Sequence, residues 1–80
     1  MKILISNESD SAHLYDRLGW LRTLNYSGFD CKIWDMRTKG AFDALSEFEP
    51  DLFIGQLHTI DRALFKSIIA RPHMKVIAIA

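Results

Sequence analysis

Lys2-Ile3-Leu4-Ile5-Ser6 is an unbroken apolar run rich in β-branched residues, and it passes directly into the polar stretch Asn7-Glu8-Ser9-Asp10-Ser11. A run without alternation fits a strand covered on both faces, as the strands of parallel sheets are. The polar stretch offers several helix N-caps. Beyond it, Leu14, Leu18 and Leu21 recur at steps of four and three, which marks one face of a helix. A strand feeding a helix through a short loop is the basic unit of an α/β sheet, and the remainder of the chain repeats it.

The first helix is expected to run to about Tyr26 and to close at Ser27-Gly28, because glycine takes the left-handed cap conformation without steric cost. Gly19, inside the pattern, suggests close approach of the helix to the sheet. Phe29 to Met36 reads as strand two. Asp30, Lys32 and Asp35 interrupt it, so it is expected at an edge. Ala41, Phe42, Leu45 and Phe48 define a short second helix that Pro50 stops. Asp51 to Leu57 is strand three. Thr59 is expected to cap a third helix with Asp61 in its first turn, lined inside by Ile60, Leu64 and Ile68 and ended by Arg71-Pro72. Met74 to Ala80 is strand four.

The order βαβαβαβ over residues 1–80 predicts one α/β domain: a three-layer, Rossmann-like or flavodoxin-like fold with a four-stranded parallel sheet. Its strand order is either 2-1-3-4 or 3-2-1-4, and the polar character of strand two favours the first.

Composition narrows the function classes. Ten basic residues balance ten acidic ones and no basic run occurs, so neither a nucleic-acid partner nor an anionic membrane surface is indicated. No apolar stretch approaches the length of a membrane span. The single cysteine, Cys31, excludes an internal disulfide and lies within an apolar strand, which points to a buried thiol and a reducing, cytoplasmic setting.

Ligands of open parallel sheets bind outside the carboxyl ends of the strands. In this sequence those exits carry Asn7, Glu8, Ser9 and Asp10, with His13 a turn later. They carry Asp35 and Arg37 after strand two, and Gln56, His58 and Thr59 after strand three. Asp10, His13 and His58 are the candidate general bases, while Asn7, Glu8, Ser9, Asp35, Arg37, Gln56 and Thr59 are the candidate substrate contacts. No metal-ligand spacing, glycine-rich phosphate turn or GxxxxGK[ST] loop is present, so no metal or cofactor is indicated. A receiver domain would end strand three on an aspartate, where this chain has Gln56-Leu57-His58. Trp20 and Trp34 are expected to pack rather than to stack on sugars.

Several segments together carry a family likeness. The opening Met1-Lys2-Ile3-Leu4-Ile5 is one, and helix one contributes Tyr15-Asp16-Arg17 through Leu24. Gly28-Phe29-Asp30-Cys31-Lys32-Ile33-Trp34-Asp35 is similar to the motif G-H-x-V that leads into strand two, with Phe29 in place of histidine. Glu49-Pro50-Asp51-Leu52-Phe53-Ile54 and Lys75-Val76-Ile77-Ala78 match strands three and four. The whole chain thereby resembles the amino-terminal Rossmann-like half of a GT-B type glycosyltransferase. The resemblance implies that the loops after strands one and three face a sugar or glycan acceptor. It also implies that a C-terminal nucleotide-sugar domain holds the donor, and that this half alone is inactive and a fragment of a longer protein. The alternative is a noncatalytic flavodoxin-like or receiver-like interaction module. In either case strand 74–80, apolar after Lys75, is expected at an open edge and predicts a homo-oligomer formed through it.

Overall fold

The computed structural model describes residues 1–8 and 12–80, apart from the side chains of residues 12 and 13. Strands β1 (Lys2–Asn7), β2 (Asp30–Asp35), β3 (Leu52–Gln56) and β4 (Lys75–Ile79) alternate with helices α1 (Ala12–Tyr26), α2 (Ala41–Phe48) and α3 (Arg62–Ile69). All strand pairs are parallel and the order is 2-1-3-4, which excludes the 3-2-1-4 alternative. The charged residues of β2 explain this choice, since Asp30 and Lys32 are exposed at an edge and would be costly in the middle of the sheet.

Three layers follow from the period-two alternation of the strands. Leu4, Trp34 and Phe53 point to one face, where they pack on Ala44, Leu45 and Phe48 of α2 and Leu64 of α3. Ile3, Ile5 and Cys31 point to the other, against Leu21 and Leu24 of α1. Trp34 is buried in the first layer, tilted against Phe53, and its indole N–H donates to the Lys39 carbonyl at 2.8 Å. Trp20 remains partly exposed on α1.

Local chemistry sets the element ends. Gly28, at φ +96°, turns the chain out of α1, and its N–H donates to the Asn25 carbonyl. The Asn25 amide then pairs with both backbone groups of Cys31, so a side chain occupies part of the outer edge of β2. At the start of the sheet the Asp51 carboxylate accepts the Lys2 backbone N–H at 2.8 Å, tying β3 to β1.

Three sequence expectations need correction. Gly19 is exposed, and a Cβ placed there would meet no heavy atom within 4 Å, so it brings no helix close to the sheet. Phe42 faces outward, and α2 buries Ala44 instead. Thr59 does not cap α3: Leu57–Thr59 form a 3-10 turn, and the Thr59 hydroxyl donates back to the Gln56 carbonyl at 2.7 Å. The cap is Asp61, whose carboxylate accepts the Leu64 N–H at 2.9 Å. An Asp with extended backbone followed three residues later by an apolar inward residue competes better for that role than a Thr already held in a turn.

Candidate functional site

β1 and β3 are neighbours in the sheet although α1, β2 and α2 separate them in sequence, so the connections diverge between them and their exits mark the place where ligands of such sheets bind. Glu8 leaves β1 and His58 lies in the turn after β3. Across 50 positions of sequence, His58 Nε2 lies 3.0 Å from Glu8 Oε1. An ionised carboxylate only accepts hydrogen bonds, so Nε2 carries the proton and Nδ1 is the basic nitrogen of the neutral ring. The His58 side chain is 66% exposed and Glu8 35%, leaving the pair accessible from solvent.

The remaining candidates divide into three groups. Asp35 and Arg37 come together, but with each other: Arg37 Nε and Nη2 reach the two Asp35 oxygens at 2.9 Å each, and the Arg37 N–H donates to Oδ1 at 3.0 Å. Those hydrogen bonds hold the Asp35 carboxyl below the usual carboxylate range, and the pair presents little net charge to a ligand. Asn7 and Gln56 are the last residues of β1 and β3, and Thr59 lies in the turn that follows β3. Asn7 is buried beside Asp35, Gln56 Oε1 is buried without a hydrogen-bond partner among the described residues, and Thr59 is committed to Gln56. Ser9 and Asp10 lie outside the described residues. His13 is the second residue of α1, and its side chain is likewise outside them.

One buried polar group escapes the sequence reading. Arg17, 4% exposed, donates from Nε to the Ser6 carbonyl at 2.7 Å and so braces the end of β1 from α1. The signal was its spacing, three from Leu14 and four from Leu21, which places it on the inward stripe. Cys31 is buried as expected, and burial together with neighbouring Asp30 pushes its thiol pKa up.

Among the described residues no group of three His, Cys, Asp or Glu is placed to hold a metal ion, and no helix is long and apolar enough to cross a membrane. Fold and site together define a doubly wound, all-parallel α/β domain whose strand exits carry an accessible carboxylate–imidazole pair. Comparison with protein-family models, curated proteins and solved structures gives no match.

Proposed function

We propose that this domain forms the acceptor side of a nucleotide-sugar-dependent glycosyltransferase. A sugar or glycan hydroxyl enters the crevice between β1 and β3, and Nδ1 of His58 takes its proton while Glu8 fixes the ring. The Glu8–His58 contact at 3.0 Å carries the proposal, because it joins an oriented base to the ligand end of the sheet. Charge supports a neutral ligand: Glu8 is a carboxylate, Asp35 is offset by Arg37, and no glycine-rich turn cradles phosphate. The donor diphosphate therefore needs a separate nucleotide-sugar domain. The strand order 2-1-3-4 is that of a flavodoxin-like doubly wound sheet, whose ligand crevice lies at the switch point between β1 and β3, so it supports the position of the site and is shared with the interaction-module reading.

Thermal unfolding of the chain with neutral mono- and disaccharides tests the proposal, with nucleoside diphosphates as the parallel arm. A saccharide at ten times its Kd adds about 1.4 kcal/mol to stability. Glu8→Gln and His58→Gln should reduce that gain. Stabilisation by the nucleotides alone, or by no saccharide, would overturn the assignment.

The second reading, an interaction module, draws on β4. It lies at the sheet edge with Val76 37% and Ile77 50% exposed, and Lys75 is its one charged residue. A homo-oligomer paired through 74–80 would cover it. A monomeric mass at micromolar concentration would exclude that assembly.

A further inference from the structure

Arg17 is a buried guanidinium that the proposed proton transfer does not use, and a charged group is costly to take out of water. Its bond to the Ser6 carbonyl, 2.7 Å from Nε, falls at a particular place in the sheet. β1 stays in register with β2 as far as Asn7↔Asp35, but with β3 only as far as Ile5↔Ile54. The two strands part there. Successive carbonyls of a strand point to opposite edges. The Asn7 carbonyl accepts the Met36 N–H on the β2 side, and the Lys2 carbonyl accepts the Asp51 N–H on the β3 side, so that of Ser6 faces β3. Arg17 thus holds the last stretch of β1 on the edge where register with β3 has ended. Glu8 follows two residues later.

We propose that Arg17 is the positioning residue of the Glu8–His58 pair. By fixing the Ser6 carbonyl it sets the direction in which β1 leaves the sheet, and so keeps Glu8 Oε1 3.0 Å from His58 Nε2. Both side chains of that pair are solvent-accessible, and an exposed pair gains little from its own attraction while two side chains lose freedom. Its geometry therefore depends on the backbone that carries it. The inference rests on the reading of Glu8 and His58 as the working pair of the site.

The test is a double-mutant cycle read on the His58 ring resonances by proton–nitrogen NMR, without ligand. Glu8→Gln should displace those resonances in the parent chain. Met and Gln both extend to the position of Arg Nε, but only Gln keeps an N–H there. In the Arg17→Met chain the displacement caused by Glu8→Gln should fall to less than about half, and in the Arg17→Gln chain it should persist. Arg17→Asn, polar but one bond shorter than Gln, repeats the removal if the Met chain does not fold. Full displacement in the folded Met or Asn chain, or its loss in the Gln chain, would overturn the role of Arg17 alone. No displacement in the parent would overturn the pair itself, and with it the inference. A cycle that behaves as expected in a chain no saccharide stabilises would leave Arg17 in this role and remove the glycosyltransferase assignment.

Discussion

Gly55, the penultimate residue of β3, offers a quantitative probe of how tightly the site end of the sheet is packed. A methyl group placed on its Cα would lie 2.8 Å from Phe53 Cζ, 3.0 Å from Phe53 Cε2 and 3.0 Å from Ser6 Oγ. Phe53 is completely buried against α2 and α3, and Ser6 lies in β1, where its carbonyl also receives Arg17. Neither can yield without moving the core. Overpacking of this kind typically costs about 1–3 kcal/mol, against a gain of roughly 0.5–1 kcal/mol from replacing glycine in a strand. Gly55→Ala is therefore expected to be destabilising by about 1–2 kcal/mol, lowering Tm by roughly 5–15 °C in a domain of this size. Gly19→Ala is the matched control: a methyl there meets nothing within 4 Å, and alanine in a helix interior gains about 1 kcal/mol. Urea and thermal unfolding followed by far-ultraviolet circular dichroism would measure both. Opposite signs are expected; a Gly55→Ala chain as stable as the parent would refute the packing derived for β3.

Three further outcomes follow from individual contacts. Asp61→Ala should cost about 1 kcal/mol in urea unfolding, since it removes the α3 cap, and Thr59→Val should leave that cap intact; a reversed ranking would return the cap to Thr59. The Asp35 carboxyl should titrate below its ordinary 3.8, so its stabilising contribution is full above that value and is lost as pH falls through the lowered midpoint. Carbon-detected NMR would follow it, and Arg37→Gln should bring the midpoint back up. Cys31, buried and with its thiol pKa raised, should alkylate slowly at neutral pH and quickly in denaturant; equal rates would contradict its burial.

β1 was legible because burial on both faces leaves a run with no polar interruption, β2 announced its edge position through Asp30 and Lys32, and β4 reads as equally apolar although its residues are exposed at the other edge. Helix boundaries were harder to read. Thr59 and Asp61 are both acceptable caps by residue type, and only the 3-10 turn at Leu57–Thr59, which draws the Thr59 hydroxyl back to Gln56, decides between them. Gly19 illustrates the opposite case, a residue whose effect depends wholly on which way it faces. Of the site, the strand-exit rule located the polar residues but did not say which would meet. That Asp35 would be consumed by Arg37, two residues on, is a local turn event; that Glu8 would find His58 depends on β1 and β3 being neighbours, a long-range fact absent from either segment.

The central claim is that ligand recognition belongs to the crevice built by the ends of β1 and β3. Amide and imidazole chemical-shift mapping during a saccharide titration addresses it directly. Shifts concentrated at Asn7, Glu8, Gln56 and His58, with Asp30, Asp51 and Lys75 at the opposite ends of the strands unmoved, are the predicted result. Shifts at those opposite ends, or a His58 ring indifferent to every saccharide, would contradict it.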